Sequence, residues 1–315
     1  MSGRVVVLTG GVGGAKLVLG LARMLAPGDV TAVVNTGDDF THLGLAISPD
    51  IDTLLYTLSG KANAVQGWGR ADETWTFMAT LTSLNGPGWF QLGDGDVALH
   101  VWRTAQLANG RSLSQVTASV AAAWDVGVRV LPMTDDPVAT MLATDEGILC
   151  FQDYFVARQC RPVVSEIRFD GADVARPAPG VVEAITAPDL RAILIAPSNP
   201  FLSVDPILAV PGIRDALSRA VAPVVAVSPL VGNDAVKGPT AKLMREMGVP
   251  TAASAIVRHY GSVLDAILVD ESSAQASLDI PFDTADTMMR TLDDRIRVAR
   301  AALALADRLR RPWTG

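Results

Sequence analysis

Thr9-Gly10-Gly11-Val12-Gly13-Gly14-Ala15-Lys16 is the segment of this chain best suited to hold an anion. It stands between a β-branched run, Val5 to Leu8, and a helical apolar pattern at Leu17, Leu21 and Leu25. Backbone N–H groups and the helix dipole converge at such a turn, and glycines let a phosphate approach the backbone. It is not a Walker A loop, because Ala15-Lys16-Leu17 stands where Gly-Lys-Ser/Thr would cradle the β-phosphate. It also departs from the dinucleotide fingerprint. Lys16 takes the third glycine's place, and the second strand ends in Asn35 where an acid would hold a ribose, which disfavours a nicotinamide-dependent oxidoreductase. Lys16 adds charge at a helix start, a position unfavourable for a cation unless an anion is bound. The competing explanation is a tight turn that needs glycine for φ > 0.

Carboxylates follow. Asn35-Thr36-Gly37-Asp38-Asp39 lies after the second strand, at the carboxyl edge where ligands of doubly wound sheets bind. Asp50 and Asp52 fall in the first turn of the next helix, two apart and on different faces, so only one is expected to enter the same site. Asp52 is the expected one, because an acid at Asp50 is already accounted for by the helix dipole. An oxygen-rich site of this kind suits Mg2+, which bridges one or two carboxylates to a substrate phosphate. Leu92-Gly93-Asp94-Gly95-Asp96 adds two acids before a helix carrying His100 and Arg103. Asp96 also suits a helix cap, and His100 is a minor candidate.

Two distal loops repeat the theme. Ser198, Asn199, Pro200 and Ser203 follow a strand and place donors where a base or ribose could be read, though turn chemistry explains them equally well. Ser228 to Pro239 brings Lys237 and Gly238 immediately before a helix, a second anion-binding arrangement. Trp68, Trp75, Trp89 and Trp102 fall close together; most are expected in the core, with one or two left to face a flat heterocycle.

The elements that must position these groups alternate strand and helix. Val5 to Leu8, the Leu17 to Leu25 helix and Thr31 to Val34 make a βαβ unit, which implies a right-handed crossover and a parallel sheet. Ser48 as N-cap and Pro49 at the first helical position open a helix through Leu58, ended by Gly60. Residues from about Glu73 to Asp125 read as mostly helical, with Ser112 a cap. Short strands occupy Val128 to Ile185. Ala192 to Ala196, Val224 to Val227 and Ala266 to Val269 resume the core strands, with a helix near Asp205 to Ala220 and a long amphipathic one over Asp283 to Arg311. The expected fold class is α/β: a doubly wound, mostly parallel Rossmann-like sheet with a smaller inserted α+β subdomain. The divisions are 1–127, 128–187 and 188–315.

Composition bounds the partners. The 315 residues are 49% apolar with a net charge of −7, which leaves no basic excess to bind nucleic acid. Two cysteines and three histidines exclude a disulfide framework and a Cys/His zinc site. A cytoplasmic location is expected, with no signal peptide, and no apolar run reaches the ~18 residues of a membrane span.

Taken in order, Gly10 to Lys16, Asn35 to Asp39, Ser48 to Thr53, Leu92 to Asp94, Ser198 to Pro200 and Lys237 to Pro239 closely resemble the 2-phospho-L-lactate transferase (CofD) family. The resemblance spans nearly the whole chain. It implies a step in coenzyme F420 biosynthesis, in which the ribityl hydroxyl of the deazaflavin Fo attacks the phosphorus carrying a lactyl or enolpyruvyl group. GMP leaves from the guanosine diphosphate-activated donor. By the resemblance, Gly10, Gly11, Val12, Gly13, Gly14, Lys16, Ser198, Asn199, Pro200, Ser203, Ser228, Lys237 and Gly238 would bind the nucleotide. Asp52, Thr53, Tyr56, Asp94 and Gly95 would face Fo, Asp38, Asp39 and Asp52 would hold Mg2+, and Asp52, Asp39 and Asp94 would be catalytic. A homodimer is implied as well. The family motif usually has arginine at the position of Gly95, for which Arg103, Lys61 or Arg70 are possible substitutes. A second hypothesis is a nucleotide- or nucleotide-sugar-binding regulator, similar to gluconeogenesis-factor relatives.

Overall fold

Every residue of β1 (Arg4–Thr9) after Arg4 is buried, as a parallel strand covered on both faces requires. The computed structural model describes residues 3–63, 66–232, 234–235, 238–273 and 278–310. α1 (Gly11–Ala22) returns to β2 (Val30–Val34), which lies parallel to β1 with Thr9 opposite Val34. An antiparallel hairpin, β3 (Phe40–His42) and β4 (Leu45–Ile47), leads into α2 (Pro49–Leu58). Next come α3 (Thr76–Ser83), α4 (Asp94–Ala108) and α5 (Leu113–Ala123), the last opened by a capping box between Ser112 and Gln115. β5 (Arg129–Pro132) then pairs with β2.

A separate antiparallel sheet holds β6 (Ala139–Thr144), β7 (Gly147–Cys150) and β8 (Val164–Asp170), with a π-helical turn at Asp153–Ala157. α6 (Val181–Ile185) precedes β9 (Leu190–Ile195), which lies beside β1. A second π-helical turn, Pro200–Val204, runs into α7 (Asp205–Ala209) and α8 (Ile213–Arg219) before β10 (Val224–Val227). After a hairpin of β11 (Leu230–Val231) and β12 (Asp234–Ala235), α9 (Thr240–Glu246) and α10 (Ala253–Tyr260) precede β13 (Ala266–Asp270), β14 (Phe282–Ala285) and α11 (Leu292–Leu309).

The central sheet has seven parallel strands in the order β14-β13-β10-β9-β1-β2-β5. Val6, Leu8, Ile193 and Ile195 face a core completed by α7, α8 and α10, while Val5, Val7, Ala192 and Leu194 face α1, α2 and α11. The sheet is therefore wound on both sides. Strand order reverses between β1 and β9, and a doubly wound sheet opens its ligand crevice at the carboxyl ends of such strands.

Several expectations shift. The segment Asp283 to Arg311 is not one helix: Phe282–Ala285 pairs with β13, and the helix begins after Thr291, whose side chain caps it with Asp294. The helix expected over Asp205 to Ala220 divides into α7 and α8, where Pro211 removes a backbone donor and Gly212 takes a positive φ of 90°. β5 belongs to the central sheet, so the small sheet comprises β6 to β8. Ser48 stands at the N-cap of α2 without capping it; its hydroxyl donates to Asp39 Oδ2 at 2.6 Å. Among the described residues no helix is long and apolar enough to cross a membrane.

α11 lies against α1 at Gly20, where a Cβ would collide with the carbonyl oxygen of Arg295. Gly20→Ala should therefore lower stability by about 1–3 kcal/mol, the usual cost of overpacking, as read from urea denaturation. An unchanged midpoint would show that α11 yields freely.

Candidate active site

The turn after β1 uses its glycines for two purposes. A Cβ at Gly10 would stand 2.5 Å from Asp50 Oδ2 and one at Gly13 2.6 Å from the Pro197 carbonyl, while one at Gly14 would collide with Thr9 Oγ1. These three are tight packing positions. Gly11 differs: its φ is +64°, nothing lies within 4 Å of where its Cβ would be, and it lines a cavity. Asp50 binds the turn directly. Its Oδ1 accepts the Gly11 N–H at 2.8 Å and its Oδ2 accepts from Asn35 Nδ2 at 3.0 Å. Ser198 clips the turn to the end of β9, accepting the Gly10 N–H at 3.2 Å and donating to the Gly10 carbonyl at 2.7 Å.

The cavity, about 510 Å³, runs from Gly11 and Val12 past Asp38 and Asp50 to an end walled by Trp68, Trp89, Phe90, Phe151 and Phe155. The β3–β4 hairpin supports that end: Phe40 packs edge-on to Phe90 at 4.9 Å and His42 to Trp89 at 5.1 Å between ring centroids. Phe151 and Phe155, from the small-sheet segment, stack at 5.2 Å. Gln152 between them donates to the Asp38 carbonyl at 3.1 Å and so ties that segment to the loop after β2.

Charge is unevenly distributed. Asp38 and Asp50 are both buried. Burial, followed by the charge of Asp50, holds the Asp38 carboxyl well above its ordinary range, and Asp38 Oδ1 has no hydrogen-bond partner. Burial pushes Asp50 up to about 6 against the hydrogen bonds from Asn35 and Gly11. This end thus holds carboxylates that resist ionising together, the condition a bound cation relieves. Further along, Arg103, buried on α4, binds both oxygens of Asp52, with its Nη1 at 3.0 Å from Oδ2 and its Nη2 on Oδ1. The same Nη1 lies 3.3 Å from His100 Nδ1. Burial pushes His100 down to about 4, the Arg103 charge adding to the effect while Asp52 opposes it. Tyr56 Oη donates to Asp96 Oδ1 at 2.6 Å.

A family model described as 2-phospho-L-lactate transferase CofD matches residues 5–302. The chain belongs to the CofD family. It is similar to proteins named phosphoenolpyruvate transferase: 44% identical to that of Streptomyces griseus, covering 98% of this chain and 99% of the relative. It is also 44% identical to the Thermobifida fusca protein over 86% and 87%, and 38% to the Nocardia farcinica protein over 96% and 95% of the respective chains. Two crystal structures of a UPF0052-family protein of Bacillus halodurans share the fold, with TM-scores of 0.62 and 0.60 at 19% and 20% identity over 96% and 97% of this chain and 99% of theirs. CofD membership makes the chain a phosphoryl-group transferase.

Of the residues picked out by sequence, Gly11, Val12, Asp38, Asp52, Thr53, Tyr56 and Ser203 meet in the cavity. Others stand elsewhere. Asp94, expected to be catalytic, does not line the cavity: its carboxylate accepts from Thr74 Oγ1 and from the Thr76 and Phe77 N–H groups at the start of α3. Asp39 lies across Ser48 in an adjoining cleft. Of the expected metal ligands, Asp38 and Asp52 line the cavity and Asp39 the adjoining cleft; among the described residues no three His, Cys, Asp or Glu side chains converge on one metal position. Asn199 Oδ1 accepts from the Phe201 and Leu202 N–H groups, a turn role, and Pro200 opens the same π-helical turn. Lys16 and Ser228 do not line the cavity, nor does Gly238, and Lys237 lies outside the described residues. Ser228 Oγ accepts the Leu230 N–H at 3.2 Å.

Gly95 has a local explanation. The Arg70 guanidinium fills the volume a Cβ there would need, and Glu73 accepts the N–H groups of Gly95 and Asp96 at 2.6 and 3.1 Å. Of the three candidates, two arginines and a lysine, Arg70 is thus the one that reaches this position; Arg103 serves Asp52, and Lys61 lies over the Trp124 ring at 5.7 Å. The four tryptophans, most of them expected in the core, are all exposed, at 36–48%; Trp68 and Trp89 wall the cavity, whereas Trp75 and Trp102 do not line it. Sequence reasoning underrated Asp50, Asp96 and His100, and did not find Phe151, Gln152 or Phe155. The two-residue spacing of Asp50 and Asp52 was the available signal, and both acids line the cavity, Asp50 at the glycine turn and Asp52 against Arg103.

Arg103→Met would leave Asp52 buried without its counter-charge, so the variant should lose about 3–5 kcal/mol in urea denaturation. Adding Asp52→Asn should recover part of that. Wild-type stability in the single variant would show that the pair contributes nothing.

Proposed function

We propose that the chain moves an enolpyruvyl- or lactyl-substituted phosphoryl group from a guanosine diphosphate-linked donor to the ribityl hydroxyl of the deazaflavin Fo, releasing GMP in coenzyme F420 biosynthesis. The enolpyruvyl donor is favoured, since the relatives are named phosphoenolpyruvate transferases. The observation that carries the reading is one continuous cavity with a glycine turn and paired carboxylates at one end and aromatic walls at the other. The first suits a diphosphate and the second a planar heterocycle. A regulator that only binds a nucleotide has no need of the aromatic end.

Mg2+ fits the donor set of Asp38 and Asp50, hard oxygens of which Asp38 Oδ1 has no other partner. When bound there it would neutralise the diphosphate as its anhydride bond breaks. The chain's own residues do the rest. Gly11 and Val12 place the helix N-terminus against phosphate, and Asp50 exchanges its Gly11 contact for ligand and cation. Trp68 and Trp89 with Phe151 and Phe155 stack the acceptor and keep water, the competing nucleophile, away from phosphorus.

Incubation with Fo, Mg2+ and guanylylated phosphoenolpyruvate or phospholactate should yield GMP and a phosphorylated deazaflavin. No GMP from either donor would overturn the assignment. Asp50→Asn should weaken donor affinity by roughly tenfold or more, about 1.4 kcal/mol, whereas Asp94→Ala should retain turnover with a lower thermal midpoint. Loss of turnover in the second variant would return Asp94 to the site.

A further inference from the structure

Four carboxylates reach the cavity wall, Asp38, Asp50, Asp52 and Asp96. Two of them are held by other groups, and Asp38 is the carboxylate assigned above to the cation. Asp50 binds the Gly11 N–H and Asn35, Asp38 faces Asp50 at the diphosphate end, and both oxygens of Asp52 are held by Arg103. Asp96, in the first turn of α4, is 8% exposed, lines the same cavity and is held by the Tyr56 hydroxyl. We propose that Asp96 takes the proton of the attacking hydroxyl and that Tyr56 is the positioning residue that orients its carboxylate and sets its basicity. The inference rests on the transferase reading above.

The surroundings of Asp96 favour that role over its neighbours. Tyr56 and Asp52 approach it from α2, Glu73 from the segment before α3, and His100 and Arg103 stand further along its own helix. Burial pushes its carboxyl up to about 6, the charges of Glu73 and Asp52 adding to this while the Tyr56 hydrogen bond opposes it. It is therefore ionised at neutral pH yet more basic than an ordinary aspartate, as a general base should be. His100 is the alternative base, and its geometry argues otherwise. A guanidinium can only donate, so the Arg103 contact makes Nδ1 the acceptor and leaves the hydrogen on Nε2. His100 is then a neutral donor, kept so by the burial that depresses its basicity.

In the step, the hydroxyl O–H bond breaks and its proton passes to the Asp96 carboxylate. The oxygen's electron pair forms the new bond to the phosphorus bearing the three-carbon group. The anhydride P–O bond breaks, and its electron pair departs on the phosphate of the nucleoside monophosphate.

The test follows turnover from about pH 5 to 8 for wild type, Asp96→Asn and Tyr56→Phe with Fo, Mg2+ and the guanylylated donor, and donor affinity by calorimetry. Wild-type kcat should climb through an acid limb near pH 6, since the base must be ionised. Asp96→Asn should lower kcat by about 100-fold or more with donor affinity intact. Tyr56→Phe removes the hydrogen bond that stabilises the carboxylate, so the limb should move to higher pH. Wild-type kcat in Asp96→Asn, donor binding lost along with kcat, or an unmoved limb in Tyr56→Phe would each overturn the base assignment while leaving the transferase reading standing. A wild-type protein that transfers nothing would overturn both.

Discussion

The site depends on the bridge that Asp50 makes between Gly11 N–H and Asn35 Nδ2. It joins three elements that are distant in sequence: the turn after β1, the end of β2 and the first turn of α2. A carboxylate at a helix start is stabilised by that helix's dipole. Here the same carboxylate also occupies an N–H at the start of α1, the group that would otherwise meet a phosphate. The contact also places a second acid beside Asp38; burial raises both carboxyls, and the charge of Asp50 raises Asp38 further. A diphosphate alone would worsen that repulsion. On the reading proposed above, a diphosphate carried with a divalent cation would relieve it, which ties the acids to the glycine turn.

At the other end the dominant constraint is Arg103. It is among the largest fully buried side chains, and it spans from α4 to Asp52 on α2 and to the Ala46 carbonyl at 3.4 Å. Pinning α2 to α4 fixes the distance between the two helices that present Tyr56 and Asp96. It also separates the acids by function, because a carboxylate saturated by a guanidinium is neither a free ligand nor a free base.

The Rossmann-like sheet was legible because its strands are unbroken apolar runs and its first helix has a clear period. The cavity lining was legible where it follows from chain position, at the turn after β1 and the acids after β2 and at the start of α2; Tyr56 came from the family resemblance. It was not legible where a side chain's direction decides. Asp50 and Asp52 share one helical turn, and only packing against α4 and its buried Arg103 tells which acid faces the glycines. Asp94 and Asp96 pose the same question: Thr74 and the α3 N-terminus hold Asp94, and Asp96 lines the cavity. The strand at Phe282–Ala285 was hidden by an apolar pattern that continued past it, although Thr291 and Asp294 mark the true helix start.

The aromatic end shows why a site can escape sequence reasoning even when every residue is ordinary. Phe155 lies in the π-helical turn of the small antiparallel sheet segment and Phe151 just before it, more than a hundred positions from the glycine turn they help enclose. Their spacing reads as local packing, and nothing in it refers to Asp38. The link is made by Gln152, an amide whose bond to the Asp38 carbonyl needs no particular motif. The wall meets the glycine-turn end through a backbone carbonyl, a contact that does not engage the Asp38 carboxylate. The cavity therefore separates the part that must hold charge from the part that must fit an acceptor, and only the first is written compactly in the chain.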